Sequence, residues 1–315
     1  MTRAPLRVAL GGGGTDLPSY YREHGGFVVS AAIDRYVHVL VSDSFQRRYR
    51  LKHLEWEEVD RPEDVRHPIL RESLVRHWSG GPLELASVAD APPGTGLGSS
   101  GAYAVGAIKA LRLAGGSDLV PAELAEAACE IEIEVLERSI GKQDQYAAAF
   151  GGVRAYGFNE DDSVAVRRLE LPEPVLDALL ERFLLFFSGR ERSASDVLAG
   201  ARVPALDRLR ELALATCSAL EAGDLGRCAE LMNESWDAKR ERTPGTVLPE
   251  MDDLRALALH EAAAGVLSPG AGGGGFLLVL SDDPERTRRA MDGAGARELS
   301  FGVDHGGCVG LSAPP

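Results

Sequence analysis

Short apolar runs rich in β-branched residues alternate along this chain with longer stretches whose apolar positions recur every three or four residues. Residues 6–10, 27–33, 36–41 and 83–88 are of the first kind and predict strands. Residues 18–24 predict a short helix capped by Asp16 or Ser19. Residues 47–64 are charged and mixed and predict strands with one exposed face, and residues 68–78 predict a helix. Residues 102–113 are alanine-rich and apolar on nearly every side, so they predict a buried helix. In residues 121–137, Leu124, Ala128, Ile131 and Val135 keep helical spacing with acidic residues between them. Residues 139–144 break that helix, and residues 145–150 start another before Gly151 and Gly152. Strands then resume, with residues 183–187 the clearest buried one. Helices are predicted at 194–201, 205–222, 225–239, 251–264 and 285–294, and strands at 276–280, 296–301 and 308–311. The pattern is α+β in two lobes, residues 1–165 and 166–315, with no internal repeat and no low-complexity linker.

Composition narrows the partners. A net charge of −14 argues against nucleic acid and against an anionic membrane, both of which bind basic surfaces. No apolar run approaches the ~20 residues of a membrane span, and the first five residues lead straight into a strand, so no signal peptide is expected. Cys129, Cys217, Cys228 and Cys308 are scattered among apolar neighbours and read as buried thiols of a reducing cytoplasm. The seven histidines show no HxH or HxxxH spacing, so structural or surface roles are expected for them. The sequence leaves monomer and homodimer open.

Three glycine clusters carry the chemistry. Gly11-Gly12-Gly13-Gly14-Thr15-Asp16 lies near the start, Pro93-Gly94-Thr95-Gly96-Leu97-Gly98-Ser99-Ser100 ends the first third, and Gly270 to Gly275 lies near the end. Glycine weakens strands and helices, so such runs mark places where backbone passes close to something. Three in one chain point to a shared pocket for a polyanion, a nucleoside triphosphate above all. A Walker A loop is excluded, because Gly101-x4-Gly106 is followed by Ala107 rather than by lysine and a hydroxyl. Gly270, Gly272 and Gly275 match G-x-G-x-x-G but precede a strand, the reverse of a dinucleotide fold. The second cluster ends where the hydrophobic helix begins. Helix N-termini offer unpaired amides and a positive dipole end, and glycine lets phosphate oxygens reach them. Ser99 and Ser100 are placed to cap that helix, to donate to phosphate or to ligate Mg2+.

The P-x-G-x-G-L-G-S-S run together with the third cluster resembles the GHMP kinase superfamily, and the resemblance spans essentially the whole chain. Arg3-x-Pro5-Leu6-Arg7, Gly12 to Asp16, Ile131-Glu132-Ile133-Glu134-Val135, Ile140-Gly141-Lys142-Gln143-Asp144-Gln145-Tyr146 and Asn233-Glu234-Ser235-Trp236-x-x-Lys239-Arg240 are similar to the D-glycero-D-manno-heptose 7-phosphate kinases. Fucokinase-type sugar 1-kinases share part of this pattern. The resemblance implies a two-lobed fold, an N-terminal lobe like ribosomal S5 domain 2 and a ferredoxin-like C-terminal lobe, with ATP and Mg2+ at the junction. It implies an ATP-dependent kinase of the anomeric hydroxyl of a heptose 7-phosphate. The alternatives are a kinase of a free sugar such as fucose, or a non-catalytic sugar sensor on the same fold.

Site residues follow from the same resemblance. Pro93, Gly94, Thr95, Gly96, Leu97, Gly98, Ser99 and Ser100 are implied to cradle ATP, and Gly272, Gly273 and Gly274 to shape the floor. Ser100 and Glu132 are implied as Mg2+ ligands. Glu130, Glu132 and Glu134 alternate on a helix, so only one faces the pocket. Asp144 fits an N-cap aspartate by position; the resemblance implies a catalytic base, with Arg7 neutralising it or the transferred phosphoryl group. Gly13, Gly14, Thr15, Asp16 and, more weakly, Asp34 are implied to hold the sugar. A second substrate phosphate needs its own cation, for which Lys142, Arg190, Arg192, Lys239 and Arg240 are candidates. Two departures stand out: many relatives have lysine just before the third cluster, where this chain has Leu267-Ser268-Pro269, and Gly101 replaces an alanine or serine. The missing lysine is dispensable, or Lys239 or Arg240 supplies it.

Overall fold

The computed structural model describes residues 1–190, 202–243 and 248–311. Its first half is built from β1 (Thr2–Gly11), α1 (Pro18–His24), β2 (Gly26–Asp43), β3 (Tyr49–Lys52), β4 (Trp56–Val59), α2 (Pro68–His77), β5 (Leu83–Ala89), α3 (Ser99–Ala114), α4 (Pro121–Cys129), α5 (Gln143–Phe150), β6 (Val153–Phe158) and β7 (Val164–Arg168). There follow α6 (Glu173–Glu181), β8 (Phe183–Phe187), α7 (Val203–Ala222), α8 (Leu225–Arg242), α9 (Pro249–His260), β9 (Ala263–Leu267), β10 (Phe276–Ser281), α10 (Pro284–Gly293), β11 (Arg297–Glu298) and β12 (Val309–Gly310).

These elements form two sheets. The first runs β12-β1-β2-β5-β3-β4, with β6 on β2 and β7 on β6; the second runs β11-β8-β10-β9. The chain's end therefore returns to its beginning, Gly310 opposite Thr2. The predicted strands 27–33 and 36–41 are one long β2, because the interruption at Asp34-Arg35 is absorbed as a register shift. That shift faces the step from Pro5 to Leu6 on β1, where proline has no N–H to give the ladder. β8, β10 and β9 are apolar on both faces because the sheet is packed on both sides: Leu185, Leu278 and Leu280 join the main core, while Leu184, Phe186, Leu277 and Val279 pack with Trp236 and Met251.

Several predicted elements change on folding. The stretch 121–137 is an α-helix only to Cys129; Glu130–Val135 is a π-turn. Helix 251–264 ends at His260, because Ala262 takes φ of +84° and turns the chain back into β9. Neither Asp16 nor Ser19 caps α1, whose N-cap is Leu17 without a side-chain bond. Only Arg297–Glu298 of 296–301 is strand, and the helix predicted at 194–201 lies outside the described residues. Among the described residues no helix is long and apolar enough to cross a membrane, and all four cysteines are free and buried.

α3 positions the site. Gly98, left-handed at φ +75°, stands as its N-cap with no side-chain cap, so the amides of its first turn stay available. The helix is buried on nearly every side and packs against β1 and β2.

Candidate functional site

A cavity of about 930 Å3 lies between the first sheet, the start of α3 and the third glycine loop. Gly94, Gly96, Gly98, Ser99 and Ser100 border it on one side and Gly270 to Gly274 on another, with Arg7 and Asp144 between. Arg7, on β1, joins these parts. Its Nε donates to Asp144 Oδ1 at 2.8 Å, and its Nη1 donates to the carbonyls of Gly96 at 2.6 Å and Pro269 at 3.2 Å. Its own N–H donates to Leu97 O at 3.0 Å. One buried guanidinium thus ties a strand, two glycine loops and the carboxylate of α5 together. Asp144 is not an N-cap: Lys142 holds that position without a side-chain bond, and Asp144 Oδ2 accepts nothing among the described residues. Gly98 and Gly101 make room for it. A Cβ on Gly98 would lie 3.2 Å from Asp144 Cγ, and one on Gly101 2.7 Å from Asp144 Cβ. The glycine at 101 therefore matches an unusually close approach of α5 to α3.

The first glycine cluster is built differently. A Cβ on Gly12 would meet Phe27 O at 2.0 Å and Ala213 Cβ at 2.9 Å, so this glycine serves the packing of β2 and α7. Thr15 Oγ1 donates to the carbonyls of Gly12 and Phe27. Asp16 is buried; Oδ1 accepts from Gly14 N and Oδ2 from Gln143 N, both at 3.0 Å. Asp16 thereby supplies the cap that α5 lacks locally, across 127 residues. Burial raises its carboxyl above the ordinary range against the pull of those amides. Behind it, Lys239 Nζ donates to the carbonyls of Ser268 and Gly270, and Arg242 donates to those of Gly13 and Ala271. Burial, then the Arg242 and Arg7 charges, push Lys239 down to about 7. Burial likewise lowers Arg242 to about 10. The ammonium beside the third cluster is therefore Lys239, whereas Arg240 pairs with Asp252 on the surface.

Beside α3, the π-turn buries Glu132 completely, while the side chains of Glu130 and Glu134 stay 59% exposed. Glu132 Oε2 accepts from Gln145 Nε2 at 2.8 Å and Oε1 from Arg138 Nη1 at 3.0 Å. Burial raises its carboxyl against the pull of Arg138. The donors Ser100 and Glu132 are both hard oxygens. Among the described residues no group of three His, Cys, Asp or Glu side chains forms a metal cage. Ser100 borders the cavity, whereas Glu132 lies buried behind it with Arg138 and Gln145 on its two oxygens, so it reaches a Mg2+ at the phosphates only by exchanging one of them.

The opposite wall carries residues that the sequence reading assigned no role. His53 Nε2 lies 2.8 Å from buried Glu57, and His67 Nδ1 accepts the N–H of Leu70 at the start of α2. The His67 ring stands edge-on to His53 and Tyr103, and burial lowers it to about 4, leaving it neutral. His53 lies in the turn between β3 and β4 and His67 at the N-cap of α2; Glu57 on β4 bonds both, and no spacing in the sequence signals it. Arg138, Gln145 and Arg242 were also unmarked.

Other candidates lie off the cavity. Lys142 turns away, donating to Glu126 and to Asp162 O. Asp34 accepts the N–H of Gly302 and pairs with Arg35. Arg190 pairs with Glu250 on the surface, and Arg192 lies outside the described residues.

Known proteins resemble this chain over both of its halves. The family model described as the GHMP kinases N terminal domain matches residues 69–152, and the one described as GHMP kinases C terminal matches residues 217–297. The D-glycero-alpha-D-manno-heptose 7-phosphate kinase of Campylobacter jejuni is 29% identical over 306 residues, 90% of each chain. The L-fucokinase/L-fucose-1-P guanylyltransferase of Bacteroides fragilis is 24% identical over 339 residues, 91% of this chain and 35% of that one. The structure of a D-glycero-D-manno-heptose 1-phosphate kinase from Bacteroides thetaiotaomicron superposes with a TM-score of 0.81 at 24% identity, over 100% of this chain and 99% of that one, a likeness of fold.

Proposed function

Because the chain belongs to the GHMP kinase superfamily, we propose that this kinase uses ATP to phosphorylate the anomeric hydroxyl of a heptose 7-phosphate, giving a heptose 1,7-bisphosphate. The observation that carries the reading is Asp144: a carboxylate bordering the cavity between two glycine loops, gripped by Arg7 on one oxygen only. The Campylobacter relative supports the substrate.

In this reading the free oxygen of Asp144 takes the proton of the sugar hydroxyl as that hydroxyl oxygen bonds to the γ-phosphorus and the bond from phosphorus to the β–γ bridging oxygen breaks, releasing ADP. Arg7 holds the carboxylate by one oxygen and places positive charge beside the moving phosphoryl group, where positioning and electrostatics supply most of the catalysis. The open amides at the start of α3, with Gly94 to Gly98 beside them, receive the phosphates. Ser100, with Glu132 behind it, would hold Mg2+, which would neutralise the phosphate oxygens. Gly272, Gly273 and Gly274 form the floor under the sugar. The first cluster, with Asp16, Lys239 and Arg242, sets the loops rather than bonding the sugar through the Asp16 carboxylate.

One observation favours a second reading, a kinase of a free sugar such as fucose. Of the cations considered for a second phosphate, Lys142, Arg190 and Arg240 are already paired with carboxylates and Lys239 is buried. The position of the new phosphate tests both. With a manno-heptose 7-phosphate and Mg·ATP, phosphorus NMR of the product is expected to show a second, acid-labile anomeric phosphate. An acid-stable ester, or no second phosphorus, contradicts the proposal.

A further inference from the structure

The turn between the π-turn and α5 is bent to set one arginine at the cavity. Glu137 takes φ of +51°, a conformation that a non-glycine residue holds only when its surroundings impose it. Arg138 N–H then donates back to Glu132 O at 3.1 Å, and Ile140 N–H donates to Arg138 O at 2.9 Å. The side chain lies across the π-turn with Nη1 3.0 Å from Glu132 Oε1. Glu132 is fully buried, but the Arg138 side chain is 33% exposed and borders the same cavity as Ser99 and Ser100. A guanidinium carries five N–H donors in a rigid fork. Among the described residues Nε and Nη2 have no acceptor. A pair that only neutralised Glu132 needs neither the bent turn nor a donor face left at the cavity.

We propose that Arg138 is a phosphate-binding residue of the nucleotide site, a guanidinium planted on Glu132 that meets the triphosphate at the start of α3. This rests on the reading that a nucleotide binds there. Glu132 fixes one edge of the fork and leaves another for phosphate oxygens, the planar two-point contact that arginine makes better than lysine.

The test is calorimetric titration of ATP and of adenosine in EDTA, which separates phosphate contacts from metal and from turnover. Arg138→Met is expected to weaken ATP about tenfold or more, the size of a lost charge-assisted hydrogen bond, and to leave adenosine unchanged. Removing one partner of a buried pair can itself unfold the site, so the double variant Arg138→Met with Glu132→Gln carries the test as well. It leaves no unpaired buried charge, and its ATP affinity is expected to stay low. Recovery of ATP affinity in the double variant to within about threefold of wild type, or equal losses for ATP and adenosine in Arg138→Met, would show that the arginine only neutralises Glu132. Absence of ATP binding by the wild-type protein would overturn the nucleotide reading itself.

Discussion

Gly11 to Asp16 and Gly94 to Ser100 look alike in sequence and are built for opposite ends. The first run is buried throughout, and its glycines admit Phe27 O and the Ala213 side chain of α7. The second borders the cavity, and its last glycine leaves the first amides of α3 without a cap. Each run is matched with an aspartate. Asp16 has both oxygens on backbone amides and is 2% exposed. The Asp144 side chain is 25% exposed and bound through one oxygen. The lesson is that a glycine run marks close approach, while the neighbouring carboxylate's partners tell whether the approach is to protein or to ligand.

The sharpest way to break that comparison is to neutralise each aspartate. Asp144→Asn is expected to lower kcat by about 10²–10⁴, the usual size of a lost general base, with any fall in the thermal midpoint coming from the loss of its pair with buried Arg7. Loss of less than tenfold in ADP release removes the base role. Asp16→Asn is expected to act the other way. It sets an amide group against the N–H of Gly14 or Gln143 and costs about 1–3 kcal/mol of stability, read as a lower thermal midpoint. A kcat loss without that drop contradicts its structural role.

Smaller effects sharpen the picture. Lys239 falls from 10.5 to about 7 on folding, facing Arg242, Arg7 and Asp16. Below about pH 7 both states carry the proton, and the buried charge costs stability in full. Between that value and 10.5 the unfolded chain binds the extra proton, so stability rises with pH, at up to about 1.4 kcal/mol per unit. Lys239→Met is expected to flatten the slope of unfolding free energy between pH 7 and 9; an unchanged slope assigns the titration elsewhere. Asp34→Asn is expected to do least. Asp34 is half-exposed and bonded to Gly302 and Arg35 away from the cavity, so kcat is expected to hold within about twofold and stability within about 0.5 kcal/mol.

These contrasts also mark what the sequence could show. Helix α3 was legible because apolar residues and small ones filled every face, and its start because glycines and serines preceded it. The second and third clusters were legible as a pocket. The role of Gly11 and Gly12 was not, because the atoms that demand it, Phe27 O across the β1–β2 pair and Ala213 some two hundred positions away, meet them only in the folded chain. For the same reason Asp16 read as a cap for the adjacent α1 and proved to cap α5. Arg138 gave no periodic signal, since its place depends on a π-turn and a left-handed residue that helical spacing does not reveal. Lys142, a candidate for the second phosphate, and Asp34, a weaker candidate for the sugar, have side chains partnered elsewhere.

The most direct measurement of the whole account is ADP release with Mg·ATP against matched phosphorylated and free sugars, a manno-heptose 7-phosphate and its free heptose among them. The account predicts turnover with the 7-phosphate and little with either the free heptose or fucose. Turnover of a free sugar in preference to its phosphate would contradict it, and would leave Asp144 and Arg7 in place on a different substrate.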